Sequence, residues 1–262
     1  MKFLKSLIPE IVKDYINIIL GRNIKLRGKF ALWEDALKIS SGYNDPVILS
    51  KSKISIKKIM NKEAKFERDT VLFYNDDPDI QLIAIIKKLY QNKNIKICDF
   101  GGSFGSSYFQ NISFLNKDKI EWNIVEQKKI VKYAKKNIRI KKLNFFSDID
   151  NVLKKDIDLI IFSSVIQYLE APYSILKKIT KKKIINIIIS RTPFFNGRDI
   201  IKVQIVPKHI YESSYPVRIF NKKKFLGFMK INGYSVKQKI KVNEKLDKYN
   251  YQSFYFKKTN YF

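Results

Sequence analysis

The stretch Ile95-Lys96-Ile97-Cys98-Asp99-Phe100-Gly101-Gly102-Ser103-Phe104-Gly105 constrains this chain more than any other. A short apolar run ends in an acid and then turns through glycines toward a helix. An open α/β sheet presents a nucleotide-like ligand in this way, at the carboxyl end of a strand. Gly101, Gly102 and Gly105 suit a tight turn that a ligand must approach closely. The spacing Asp99-x-Gly101-x-x-x-Gly105 departs from the dinucleotide fingerprint G-x-G-x-x-G, because Ser103 and Ser106 stand where that pattern needs glycine. No G-x-x-x-x-G-K-S/T run occurs, which excludes a P-loop.

From residue 95 onward, apolar runs alternate with stretches of helical periodicity. This predicts a parallel sheet covered on both faces. The expected strands are Ile95–Phe100, Ile120–Val125, about Lys142–Phe146, Ile157–Phe162 and Ile184–Ser190, with a helix over Lys128–Asn137. Ile200–Val206 reads as a further strand and Lys222–Ile231 as a helix. Tyr234–Val242 and Tyr251–Lys257 have no helix between them and should pair antiparallel. Upstream, residues 1–20, Phe30–Ile39, 51–62 and Ile80–Tyr90 carry helical spacing. The expected division is an N-terminal helical extension over residues 1–78 and a ligand-binding domain over 79–262.

The single cysteine, Cys98, lies inside the first apolar run, so no disulfide framework exists within the chain. That fits a reducing, cytoplasmic compartment. One cysteine and one histidine leave no Cys/His zinc site, and no metal is expected. The formal charge of +28 points to an anionic partner, whether nucleic acid, membrane surface or phosphorylated substrate. The lysines are spread along the chain, however, as on an ordinary solvated surface. Residues 1–20 are interrupted by Lys2, Lys5, Glu10, Lys13 and Asp14, so they form neither a membrane span nor a signal peptide. Their apolar face either packs on the chain's own domain or lies in the inner-membrane interface as a peripheral contact.

Three acids crown three successive expected strands: Asp99, Glu126 and Asp148. A sulfonium cofactor such as S-adenosylmethionine (SAM) carries no phosphate. It needs an acid near its amino end, room beside the backbone, and an acid for its ribose. Asp99 can receive the ammonium group, Glu126 both ribose hydroxyls, and Asp148 the adenine amino group. Asp99 and Asp148 can equally be turn or helix N-cap residues.

Several strings extend well beyond the glycine motif. They are Asp99–Asn111, Trp122–Gln127, Ser163-Ser-Val-Ile-Gln-Tyr-Leu-Glu-Ala-Pro-Tyr173, Arg191-Thr-Pro-Phe194, Val203–Pro207, Ile210–Pro216 and Glu67-Arg-Asp-Thr-Val-Leu-Phe73. In these the chain resembles a family of SAM-dependent methyltransferases encoded in bacterial surface-polysaccharide (O-antigen type) gene clusters. The resemblance runs from about Trp33 to the C-terminus. It implies a class I Rossmann-like α/β fold of five parallel strands plus a C-terminal antiparallel pair. It also implies a SAM site at Asp99, Gly101 and Glu126, beside which Gly102, Ser103, Gly105, Gln127, Asp148 and Ser163 are the further candidate cofactor residues.

The acceptor is less legible. Gln167 and Tyr168 follow the fourth strand, where they can either orient an acceptor or pack. His209 is the natural base for an alcohol, or a surface residue. Arg191 can grip an anionic group bidentately, or form an internal salt bridge with Glu170 or Asp199. Tyr108, Tyr173, Tyr211 and Tyr215 offer aromatic surface to a sugar ring. The expected activity is O-methylation of a sugar or glycan precursor. The alternatives are a catalytically silent binding protein on the same fold, or a nucleic-acid methyltransferase. The last is disfavoured, since no Asn-Pro-Pro-Tyr signature, catalytic-cysteine motif or RNA-binding module occurs.

Overall fold

A computed structural model describes residues 24–91, 93–182, 184–208, 210–242 and 244–259. The expected helix over 1–20, with its membrane contact, and His209 lie outside the described residues. The N-terminal part contains β1 (Lys25–Phe30), α1 (Trp33–Lys38), α2 (Pro46–Met60), the hairpin β2 (Phe66–Arg68) and β3 (Val71–Phe73), and α3 (Ile80–Leu89). Residues 24–78 are therefore not helical throughout. Phe30 closes a strand, and the helix expected over Phe30–Ile39 shortens to α1. Asp45 starts α2 by accepting from the Val47 N–H at 3.0 Å, and Asp79 does the same for α3 from Leu82 at 2.9 Å.

The main sheet follows. Its strands are β4 (Ile95–Phe100), β5 (Ile120–Val125), β6 (Leu143–Phe146), β7 (Leu159–Ser163) and β8 (Asn186–Phe195). Between them run α4 (Ser106–Asn111), α5 (Lys128–Asn137), α6 (Ile149–Val152) and α7 (Pro172–Thr180). The chain ends with the hairpin β9 (Ile200–Val206) and β10 (Ser213–Asn221), then α8 (Lys222–Ile231), β11 (Tyr234–Ile240), β12 (Lys245–Leu246) and β13 (Tyr249–Lys258).

The spatial order is β6-β5-β4-β7-β8, with all neighbours parallel. β13 then pairs antiparallel with β8, and β11 antiparallel with β13. This is the expected architecture. The chain runs outward from β4 through β5 to β6, then returns to β7 on the other side of β4. The carboxyl ends of β4 and β7 thus flank a topological switch point, where an open sheet leaves a crevice.

Alternate residues of each central strand enter different cores. Ile97, Ile161 and Ile188 face the layer that includes α3 and α5, with Trp122 and Ile124. Cys98, Ile160, Phe162, Ile187 and Ile189 face the layer that includes α7 and α8, with Phe254 and Phe256. Burial on both faces is why these strands read as unbroken apolar runs.

Two strand readings change. β8 does not stop at Ser190 but continues to Phe195, so Arg191 lies inside it, at a left-handed kink with φ 50°. β10 has no counterpart among the expected strands, and it contains Pro216, a residue that central strands rarely carry. Here it sits in β10 opposite Val203 of β9, and β10 meets β8 only at Phe220 and Asn221, so the missing N–H disturbs no pairing on the second edge. β9 and β10, with β1 antiparallel to β9, carry the sheet past the carboxyl end of β8 and raise a wall beside the switch point.

Phe254 is 1% exposed and meets both Phe194 and Phe256 edge-on or tilted. Phe254→Ala is expected to cost about 3–5 kcal/mol by cavity formation, read as a lowered midpoint in urea unfolding. A change below about 1 kcal/mol would mean that β13 is not part of the cooperative core.

Candidate functional site

The turn after β4 is built around two close approaches. Gly101 has φ 73°, and its N–H donates to the Val125 carbonyl at 2.8 Å. A Cβ there would collide with Val165. A Cβ on Gly102 would lie 2.7 Å from the Asp99 carboxyl. Side chains at either position would close the turn. Gly105, at φ 108°, is the residue from which α4 starts.

Asp99 lies beneath this turn rather than in the cleft wall. It is fully buried, and its Oδ2 accepts from the Trp122 indole N–H at 3.2 Å. Its Oδ1 has no partner. Burial pushes its pKa up to about 7; the indole hydrogen bond opposes this and the charge of Glu126 adds to it.

Glu126, just past the end of β5, is gripped by backbone. Its Oε1 accepts from the Ser103 N–H at 3.2 Å and its Oε2 from the Gln127 N–H at 2.7 Å. Burial raises its pKa, while those two hydrogen bonds hold it down.

Gly101, Gly102, Ser103, Glu126 and Ser163 line one cleft at the switch point, together with Ser164. The cleft has about 820 Å³ of empty space, counted to its open mouth. Of the opposite wall, only Tyr211 was among the residues expected from the sequence. Glu67, Arg68, Asp69 and Thr70 reach over from the β2–β3 hairpin, and Tyr43, Ser52 and Tyr211 complete it. The available signal was the Glu67–Phe73 string, which carried a resemblance without a role.

Asp148 is placed elsewhere. It is exposed, does not line the cleft, and caps α6 by accepting from the Asp150 N–H at 2.9 Å. Gln167 is fully buried and also stands off the cleft. It donates to the Ser164 hydroxyl and to the Arg191 carbonyl, each at 3.2 Å, and so braces two strand ends.

Arg191 is not paired with Glu170 or Asp199. Its Nε donates to Glu244 at 2.7 Å, and its outer nitrogen lies 3.9 Å from Asp69. Glu244 also meets Arg68 at 3.6 Å. Burial alone would lower the Arg191 pKa; Glu244 and Asp69 outweigh it and raise it. Arg191 thus commits its Nε–H to Glu244 and lines both the cleft and the recess that adjoins it.

Beyond Arg191 the cleft continues into a second recess walled by tyrosines and Gln204. Tyr168 donates to Gln204 Oε1 at 3.0 Å, Gln204 Nε2 donates to the Tyr215 hydroxyl at 3.2 Å, and the Tyr211 and Tyr215 hydroxyls lie 2.9 Å apart. Tyr43 stacks on Tyr168 at 5.5 Å. Burial pushes the Tyr168 phenol up to about 12 and raises Tyr43, Tyr211, Tyr215 and Tyr251 well above 10. These phenols stay neutral and act as hydrogen-bonding groups. Tyr173 does not join them, since it packs among Phe220, Phe225 and Phe228; nor does Tyr108, which packs edge-on against Trp122.

Among the described residues no group of three His, Cys, Asp or Glu could hold a metal ion, and no helix is long and apolar enough to cross a membrane.

Asp99 makes a pH prediction. Folded Asp99 keeps its proton up to about pH 7, whereas the unstructured side chain loses it near 3.8. The folded state therefore binds the extra proton between those values, and this group's contribution falls as pH rises through that window. The scale is roughly 1.4 kcal/mol per pKa unit. Asp99→Asn should lose this component, gaining on the native protein as urea unfolding is moved from about pH 4.5 to 7.5. Equal pH slopes in the two proteins would rule out a buried protonated Asp99.

No protein-family model and no curated protein matches the sequence. Solved structures match the fold. The N-terminal domain of EvdMO1, crystallised in the presence of SAH and D-fucose, superposes with a TM-score of 0.52 at 10% identity, covering 79% of this chain and 96% of that one. A second structure of that domain, with SAH bound, gives the same values. An S-adenosylmethionine-dependent methyltransferase from Clostridium acetobutylicum superposes with a TM-score of 0.50 at 12% identity, covering 81% of this chain and 100% of that one. The switch-point cleft, with its glycine turn and strand-end carboxylate, thus stands on the Rossmann-like fold of class I SAM-dependent methyltransferases.

Proposed function

We propose that this protein is a SAM-dependent methyltransferase that methylates a hydroxyl of a sugar, free or in a surface-glycan precursor. The observation that carries the reading is Glu126. Its carboxylate stands at the end of β5, fixed by two backbone N–H groups, across from a turn in which a Cβ at Gly101 or Gly102 would collide. A carboxylate so held can accept both hydroxyls of a ribose. Beneath the turn Asp99 Oδ1 is a buried acceptor without a partner, although Asp99 does not line the cleft itself.

When bound, SAM supplies an electrophilic methyl group on sulfur. The chain's part is positioning and the exclusion of water. Gly101 and Gly102 let the ligand lie against the backbone. Tyr43 and the β2–β3 hairpin cover it from the opposite wall. The recess of neutral phenols and Gln204 beyond Arg191 offers donors and acceptors on aromatic surface, which suits a polyhydroxylated ring. The EvdMO1 domain, crystallised with SAH and D-fucose, supports a sugar as acceptor. A role in surface-polysaccharide assembly rests on the resemblance of the strings from Glu67 to Pro216.

Calorimetry with SAM tests the reading. The folded protein should bind it, and Glu126→Ala should weaken binding by roughly 1.5–3 kcal/mol, the scale of a hydrogen bond involving a charged group. Gly101→Val should abolish binding through the collision with Val165 while thermal unfolding stays cooperative. A folded native protein that binds no SAM refutes the proposal, and full affinity in Glu126→Ala removes that residue from the site.

A further inference from the structure

The tip of the β2–β3 hairpin is strained. Asp69 has φ 51° and Thr70 φ 70°, a two-residue turn in the left-handed region without a glycine. Such turns favour Asn-Gly or Asp-Gly, and a β-branched residue in this region is an outlier. The strain is held from two sides. The Thr70 N–H donates to Glu67 Oε2 at 2.7 Å, and the Ser55 hydroxyl of α2 donates to the Thr70 carbonyl at 2.8 Å. Glu67 is itself fixed by the Ser106 hydroxyl.

This tip carries Asp69 to the place where the two parts of the site meet. Asp69 lines both the cleft that holds Gly101 and Glu126 and the recess that holds Tyr168 and Gln204. Three carboxylates line the cleft among the described residues. Glu67 and Glu126 have their oxygens engaged by hydrogen bonds, whereas Asp69 accepts none among the described residues. Its ion-pair partner among the described residues, Arg191, is 3.9 Å away and held closer to Glu244, and the Asp69 side chain is 47% exposed. The phenols around it are neutral, so none of them can take a proton. Asp69's charge also reaches Tyr43, Tyr168, Tyr211 and Tyr251, adding to the burial that dominates their raised pKa values.

We infer that Asp69 is the catalytic base, receiving the proton of the acceptor hydroxyl during methyl transfer. The inference rests on the proposed function. In the step, the acceptor oxygen bonds to the methyl carbon, the electrons of the broken carbon–sulfur bond return to sulfur, and the hydroxyl proton passes to the Asp69 carboxylate. Arg191 keeps that carboxylate oriented without neutralising it by a close pair. The strained turn fixes its reach, as backbone strain does where geometry must be held.

The test uses the full chain with labelled SAM and D-fucose, D-mannose and N-acetylglucosamine as probes. Asp69→Asn and Asp69→Ala should lower kcat by roughly 10²–10⁴-fold, the range for a general base. SAM affinity by calorimetry and the thermal midpoint should stay close to native values. Added formate should restore part of the rate to Asp69→Ala, since a small external base can occupy the vacated position. A loss under about fivefold, a matching fall in SAM affinity, or a large loss without formate rescue overturns the assignment and leaves Asp69 a structural residue. Native protein that binds SAM but methylates none of the sugars overturns the hydroxyl acceptor and the base together. Native protein that binds no SAM overturns the proposed function itself.

Discussion

The ion pair between Arg191 and Glu244, 2.7 Å apart with both side chains less than one-fifth exposed, is the tie on which the site's shape depends. Its two ends come from a kink inside β8 and from the loop before β12. Arg68 and Asp69 join it from the hairpin that precedes the parallel sheet. Three remote segments thus meet at one charge cluster. Desolvating such charges is expensive, and removing one partner from a buried pair strands the other at a cost of about 3–5 kcal/mol. The cluster therefore contributes less to net stability than to fixing where the hairpin tip and the β8 kink stand.

Burial works on the acids of the site in two ways. Glu126 is partly enclosed, yet two N–H groups stabilise its charge, so it remains a usable acceptor. Asp99 has one indole N–H and an idle oxygen, and desolvation prevails. The sequence shows both as an acid at a strand end. The difference lies in the pleat, which turns Asp99 under Gly102 and against Trp122.

The parallel strands were legible because they are buried on both faces, and burial of that kind leaves an unbroken apolar run. The glycine turn and Glu126 were legible because both lie within a few residues of a strand end, where position follows from local sequence. Asp148 had the same sequence signature but serves its own helix, a choice that depends on how far β6 runs. Of the recess, Tyr168, Tyr211 and Tyr215 were legible as candidates, but the way its wall is assembled was not, for a physical reason. Tyr43, Asp69, Tyr168, Gln204 and Glu244 come from five separate segments, and no local pattern records that β9 and β10 fold back beside β8. The hairpin was hidden because its tip uses Asp69-Thr70 in place of a glycine pair. Arg191 was read as a strand end, which led to the wrong salt-bridge partners.

The order of strands in the sheet has a consequence for how the protein is made. β13, which ends at Lys258, slots between β8 and β11 rather than lying at an edge. On the ribosome, β8 keeps the flank that β13 covers unpaired until Tyr249–Lys258 have emerged. Exposed strand edges of this sort invite association with other chains. The nascent protein is thus most vulnerable in the interval between the emergence of β8 and that of β13, and a ribosome that stalls there leaves a sheet that is open at its middle.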